Sequence, residues 1–348
     1  MAEKSVLILM ATFNGSPYIA EQLESIRSQT MTKWNLIVRD DGSSDNTKQI
    51  IKEYSEIDSR IKLMEDDLGR LGPAGNFNRL MEVAVDTETP YFAFADQDDV
   101  WNEEKLRIQL RLMDETEKRC GCDIPILIHS DLQVVDEKLK LINNSYARYQ
   151  RMSHPDTDDL RTLLVQNVAV GTTIMINRPL LKTTVPVPPS AHMHDWWLVL
   201  CAAVFGLIIY SPDQLVSYRI HSLNVTFPVG FRRAVNPLNG PLSDRLYKMN
   251  KIFVASFRQA RVLKERIKSF VDMFFYEKCR IVRCIDIISY YLSILELPWY
   301  IRPVQLMRGH VIRQNIVLTA LFYYQCMRND LIKEVVSEIP ASVTQPLT

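Results

Sequence analysis

Three times in the first hundred residues, an apolar run of strand length stops at a cluster of polar side chains. Residues 5–12 end at Phe13-Asn14-Gly15, residues 34–39 at Asp40-Asp41-Gly42-Ser43-Ser44, and residues 91–95 at Asp96-Gln97-Asp98-Asp99. The intervening segments have helical spacing, with Ile19, Leu23 and Ile26 in one, Ile50, Ile51 and Tyr54 in the next, and residues 74–85 in a third. Residues 61–64 add a short strand. Strands separated by helices require right-handed crossovers and a mostly parallel α/β sheet. Ligands of such sheets bind beyond the carboxyl ends of the strands, where all three polar clusters fall.

The rest of the chain is read more coarsely. Residues 126–135 and 168–177 read as strands, Pro186-Val187-Pro188-Pro189 as a loop, and residues 194–204 as a helix. Residues 207–210 and 215–218 read as two short strands. From about residue 241 the pattern becomes long helices rich in aromatic, aliphatic and arginine side chains, broken at Pro298 and Pro303, with residues 341–348 frayed. The formal net charge of zero hides an asymmetry. Residues 231–348 hold 18 basic and 9 acidic side chains, a net +9, so the remainder carries −9.

A core drawn from 348 residues at 47% hydrophobic content needs no disulfide framework. The six cysteines are scattered, and only Cys120 and Cys122 are close, which suits a reducing, cytoplasmic compartment. The first apolar run is too short for a signal peptide, and no apolar stretch reaches the ~18 residues of a membrane-spanning helix.

Three carboxylates within four residues, Asp96, Asp98 and Asp99, repel one another unless a cation sits among them. Hard oxygen ligands suit Mg²⁺ or Mn²⁺, and the bland alternative is a solvated acidic turn. Asp40-Asp41-Gly42-Ser43 can accept a hydrogen bond from a base imide, or merely cap the next helix. Thr12-Phe13-Asn14 can meet the same nucleotide, or form a simple Asn-Gly turn. The glycine-rich residues 69–79, with Asn76 and Arg79, open a helix whose N-terminus attracts phosphate or serves only as a loop. Their spacing matches neither the dinucleotide fingerprint nor the P-loop. His194-Asp195-Trp196-Trp197 opens another helix and reads either as a capping Asp with two core tryptophans or as a catalytic segment.

In order and spacing, ATFNG, VRDDGSSDNT, GPAGNFNRLM and FADQDDVW resemble the family 2 glycosyltransferases of the GT-A fold. DQDDVW followed by His194-Asp195-Trp196-Trp197 resembles the rhamnosyltransferase-like members that build bacterial surface polysaccharides. The resemblance covers about residues 4–225. It implies a Rossmann-like GT-A catalytic domain over residues 1–230, with a nucleotide-sugar half to about residue 100 and an acceptor half after it. A helical, basic region over residues 231–348 follows. It also implies nucleotide-sugar contacts from Thr12, Asn14, Asp41, Asn76, Arg79, Asp96 and Gln97. The metal ligands would be Asp98 and Asp96, with His221 of the Tyr218-Arg219-Ile220-His221-Ser222-Leu223-Asn224 segment. Asp195 would be the base of an inverting single displacement, and Trp196 or Trp197 would stack on the acceptor. The implied donor is dTDP-L-rhamnose or, as an alternative within the class, a UDP-hexose, and the acceptor is a glycan or lipid-linked glycan.

A sugar nucleotidyltransferase would carry a basic glycine-rich loop directly after the first strand, which ATFNG is not. A non-catalytic assembly protein would not need Asp41, Asp96, Asp98 and Asp195 together. The basic tail, with Arg232, Arg233, Arg258, Arg261, Lys264, Arg266, Lys268, Arg280 and Arg283, reads as a peripheral membrane-surface contact or as helices packed on the catalytic domain or on a second copy. Nucleic acid is not an expected partner, because no module of that kind is present.

Overall fold

The computed structural model describes residues 4–221, 224, 242–270, 278–314 and 316–337. Arg232, Arg233 and residues 341–348 lie outside the described residues.

Strand β1 (Val6–Thr12) is apolar throughout because helices cover both its faces. Its side chains alternate between two cores. Leu7 and Leu9 join Phe77, Leu80 and Met81 on one side. Val6, Ile8 and Met10 meet Ile19, Leu23, Ile26, Ile51, Leu106 and Met113 on the other. The helices of the first part are α1 (Ile19–Arg27), α2 (Thr47–Ile57), α3 (Gly72–Val85) and α4 (Lys105–Cys120). The strands are β2 (Trp34–Asp40), β3 (Ile61–Met64), β4 (Tyr91–Asp96) and the two-residue β5 (Val100–Trp101). Strands β3, β2, β1 and β4 lie side by side and parallel, as the crossover argument requires.

Beyond β4 the sheet is mixed. It continues through β6 (Ile126–Val135), β7 (Leu141–Asn143), β8 (Met175–Asn177) and β9 (Leu207–Arg219). β8 runs antiparallel to both β4 and β6, β9 runs parallel to β6, and β7 folds back on β6. Two expectations are corrected. Only Met175–Asn177 of residues 168–177 is a strand, because Gly171–Thr173 turns into a 3₁₀ helix. The two short strands expected at 207–210 and 215–218 are one strand, whose register against β6 shifts near Asp131. Short helices α5 (Tyr146–Tyr149), α6 (Leu160–Leu163) and α7 (Arg178–Thr184) precede α8 (His194–Phe205).

Helix α8 is apolar around nearly its whole circumference, as a helix covered on all sides must be. Helices α9 (Leu242–Phe270) and α10 (Lys278–Ser293) of the C-terminal set pack on it, and α11 (Arg302–Arg308), α12 (Ile316–Met327) and α13 (Asn329–Ser337) follow. Phe253, Phe257, Ile288, Tyr291 and Phe322 belong to the same core as Trp197 and Phe205. Several tail arginines are therefore internal staples. Arg280 donates to the carbonyls of Ala203 (2.8 Å) and Gly206 at the end of α8. Arg266 donates to those of Val185 (3.0 Å) and Pro186 (2.7 Å) after α7. A cation suits these positions because helix carboxyl ends carry partial negative charge.

The shared core makes a prediction. Phe257 is fully buried and stacks on Tyr291 at 4.1 Å between ring centroids. Phe257→Ala is expected to cost about 3–5 kcal/mol. Urea unfolding followed by near-UV circular dichroism should show one earlier transition. A separate transition for the tail would contradict the continuous core.

Candidate active site

Strand register gathers the polar clusters at one edge. Thr12 lies opposite Asp40, and Ala11 opposite Asp96. The Thr12 hydroxyl donates to Asp40 Oδ1 at 3.0 Å. Asn14 takes a left-handed conformation (φ 49°), which asparagine tolerates, and its Oδ1 accepts from the Ser44 amide at 2.9 Å. Gln97 clamps Phe13 at both ends, accepting from its amide at 2.8 Å and donating to its carbonyl at 3.0 Å. Gly15 is required there, because a Cβ would lie 2.2 Å from Gln97 Oε1.

Asp41 is 3% exposed. Its carboxylate accepts from the amides of Leu71 (2.7 Å) and Gly72 (2.8 Å) and from Arg39 (3.0 Å). One of its roughly four acceptor sites remains for a ligand. The α3 N-terminus, expected to receive phosphate, thus already receives Asp41. Asn76 and Arg79 depart further from expectation. Asn76 is buried and exchanges hydrogen bonds with Arg39, through its guanidinium (3.2 Å) and carbonyl (3.1 Å). Arg79 faces Asp66 (3.6 Å) and Glu82 (3.4 Å). Both brace the strand-end scaffold because the arginine and acidic groups beside them offer stronger local partners.

The acidic cluster separates by burial. Asp96 and Asp98 are partly exposed, whereas Asp99 is fully buried. Burial and the nearby charges of Asp98 and Asp195 raise the Asp96 pKa. Asp98 Oδ2 stands 2.8 Å from His221 Nε2, and its carbonyl accepts from Arg219 Nε at 2.9 Å. The Arg219 guanidinium also binds the Glu137 carbonyl (2.6 Å) and Glu21, so it fixes the turn that carries Asp98. Asp99 accepts from the Arg219 amide at 3.2 Å. Burial and the charges of Asp98 and Asp96 hold its own carboxyl well above the usual range, and any charge it carries counteracts the burial that pushes the Lys105 pKa down to about 7. Asp99 is a structural anchor under the site.

Among the described residues, no three His, Cys, Asp or Glu side chains form a ready-made metal cage. Two carboxylates that repel each other, one paired with an imidazole, nevertheless fit a hard cation that brings its other ligands. Mg²⁺ is commonly held in this way, by one or two carboxylates with water and phosphate oxygens.

Asp195 opens α8 and is partly exposed. Burial raises its pKa to about 6, opposed by hydrogen bonds from the amides of Trp196 and Gly171 and the side chain of Asn167. The neighbouring His194 is no competitor as a base. It stacks on Phe77 at 3.8 Å, and burial pushes its pKa down to about 3. The acceptor-stacking role expected of Trp196 and Trp197 is corrected. Both are buried, with indole N–H groups donating to the carbonyls of Leu163 (2.7 Å) and Thr184 (3.0 Å). Because α8 is covered all round, positions flanking Asp195 point into the core.

Sequence reasoning missed Asn167 and Gly171, the two partners of Asp195 from another segment. It also missed Tyr146, which lies within electrostatic reach of Asp195. None carries a local motif. Gly171 left one trace, a glycine inside an otherwise strand-like run.

The family model described as glycosyl transferase family 2 matches residues 7–183, half of the chain. The chain belongs to glycosyl transferase family 2. One similar relative is the Escherichia coli UDP-Glc:alpha-D-GlcNAc-diphosphoundecaprenol beta-1,3-glucosyltransferase WfgD. It is 28% identical over 207 residues, covering 58% of this chain and 70% of that protein. The Shigella flexneri dTDP-rhamnosyl transferase RfbG is 39% identical over 100 residues, 28% of this chain and 34% of that protein. Among solved structures, S. aureus TarS 1–349 in complex with UDP-GlcNAc superposes with a TM-score of 0.51 at 17% identity. That match covers 92% of this chain and 90% of the TarS chain. The family 2 enzyme therefore shares the GT-A architecture of a nucleotide-sugar transferase, with a helical C-terminal region.

Proposed function

We propose that this enzyme inverts a sugar on transfer from a nucleoside-diphosphate donor to a hydroxyl of a lipid-linked glycan in bacterial surface polysaccharide synthesis. The observation that carries this reading is Asp195, a carboxylate with a pKa near 6 within electrostatic reach of Asp96 at the donor edge. A base of that pKa is ionised at neutral pH and still basic enough to accept a proton in the transition state. The acceptor oxygen bonds to the anomeric carbon as the bond to the diphosphate breaks. The hydroxyl proton passes to Asp195, and the nucleoside diphosphate leaves with the bonding electrons. Thr12, Asn14 and Asp41 border the base and ribose, with Gln97 holding Phe13 in place.

Asp98, with Asp96 and His221, would hold Mg²⁺ or Mn²⁺, and the bound cation supplies charge neutralisation for the leaving diphosphate. Arg219 keeps the Asp98 turn in place. Among the described residues, no helix is long and apolar enough to cross a membrane; it is the lipid-linked acceptor of this reading that would bring the enzyme to the inner membrane face.

The donor read from the sequence is dTDP-L-rhamnose, supported by the similarity to the Shigella transferase over 100 residues. A UDP-hexose is favoured by the longer similarity to the glucosyltransferase. A donor panel that follows nucleotide release with a lipid-linked glycan acceptor tests both. Preference for dTDP-L-rhamnose supports the first, and preference for a UDP-sugar replaces it. Donor-independent silence with folded, nucleotide-binding protein would overturn the transferase reading.

A further inference from the structure

The β6–β7 turn is built against ordinary economy. Asp136 closes it, accepting from the amides of Lys138 and Lys140, and Leu139 sits at its tip with φ 62°. A left-handed backbone favours glycine or asparagine, so a leucine there is strained. The leucine is 39% exposed, and Leu141 and Ile142 of the three-residue β7 are 54% and 49% exposed. Exposed Lys138, Lys140, Arg148 and Arg151 share this segment, against Asp136, which is turned to the backbone amides, and Glu137 at the start of the turn, so residues 136–151 carry four basic and two acidic side chains. The base of this hairpin joins the active-site wall, because Arg219 binds the carbonyl of Glu137 and also holds the Asp98 turn.

We propose that the β6–β7 hairpin and the α5 turn after it dock the enzyme on an anionic lipid bilayer. Exposed aliphatic side chains interleaved with cations, on a segment of net positive charge, complement a surface of negative headgroups over hydrocarbon. Of the basic side chains in the C-terminal helices, Arg266 and Arg280 are committed to backbone carbonyls and are not available to such a contact. Docking here holds the mouth of the site against the bilayer. The proposal rests on the lipid-linked-acceptor reading for its purpose, but its test contains neither donor nor acceptor.

The full chain is sedimented with phosphatidylcholine vesicles, with and without phosphatidylglycerol. Wild type is expected to bind only the phosphatidylglycerol vesicles, and less as salt rises. Leu141→Asp/Ile142→Asp and Lys138→Glu/Lys140→Glu should each weaken binding about tenfold or more, near fivefold per cation removed. Nucleotide binding should remain intact. A second pair, Trp299→Ala/Tyr300→Ala, alters exposed aromatic residues of the C-terminal region and should bind as wild type. Unchanged binding by the hairpin variants, loss only in the Trp299/Tyr300 pair, or equal binding to pure phosphatidylcholine would overturn the proposal. So would self-association that the hairpin variants abolish, because the patch would then join two copies of the chain.

Discussion

Asp195→Asn is expected to lower kcat by about 10²–10⁴-fold, the usual contribution of a positioned general base. Donor affinity should change little. Asparagine keeps the shape and an acceptor oxygen for the Trp196 and Gly171 amides, and it removes only basicity. The pH profile separates this from a loss of shape. The wild-type carboxyl, with its pKa raised to about 6, is protonated below that value. Its kcat/KM should therefore fall about tenfold per pH unit below 6, and the residual activity of the variant should lack that limb. Stability should move the other way. A carboxyl whose folded pKa is raised contributes stability at acid pH that is lost as pH rises through about 6. At neutral pH the asparagine variant is thus expected to unfold no earlier than wild type. Undiminished single-turnover transfer would remove Asp195 from the chemistry.

The legible parts of this fold are those where one physical rule acts alone. Strands β1, β2 and β4 are buried on both faces, so their unbroken apolar runs and abrupt polar ends marked the sheet and its ligand edge. Asp96 and Asp98 stood out because a carboxylate cluster at a strand end is unusual, and Asp195 because its segment resembles that of family 2 glycosyltransferases. The misread parts depend on tertiary partners. Residues 168–177 have strand composition, but Gly171 must turn to donate its amide to Asp195. A Cβ at that glycine would also stand 3.0 Å from His194 Nε2. Trp196 and Trp197 looked like sugar platforms because nothing in the local pattern shows that C-terminal helices α9 and α10 pack on α8. Asn76 looked like a ligand because the buried Arg39 that holds it lies 37 positions away. The sequence left open whether the basic tail meets a membrane or the catalytic domain, because the helix carboxyl ends that hold Arg266 and Arg280 lie in other segments.

Asp98 and Asp99 are adjacent in sequence and chemically identical, and the structure separates their consequences. Asp98→Asn leaves the Arg219 contact intact, because Arg219 Nε binds the backbone carbonyl of Asp98. It removes the charge that faces His221 and that would face a cation. Turnover is expected to fall about 10³-fold, comparable to losing one strong electrostatic contact at developing charge. Dependence on added Mg²⁺ or Mn²⁺ should weaken with it, while the unfolding midpoint stays near wild type. His221→Gln, which retains a donor toward Asp98, should cost only about 10–100-fold, as supporting contacts to a ligand do. Asp99→Asn should reverse the pattern. It removes a group whose charge opposes the burial of Lys105 while keeping an acceptor for the Arg219 amide, so the cost should fall on stability. The result should be an earlier unfolding transition, with metal dependence unchanged in the protein that remains folded. Full metal-dependent turnover in Asp98→Asn would dismiss the cation site. Loss of metal dependence in a stable Asp99→Asn would mean that the wrong carboxylate had been assigned to it.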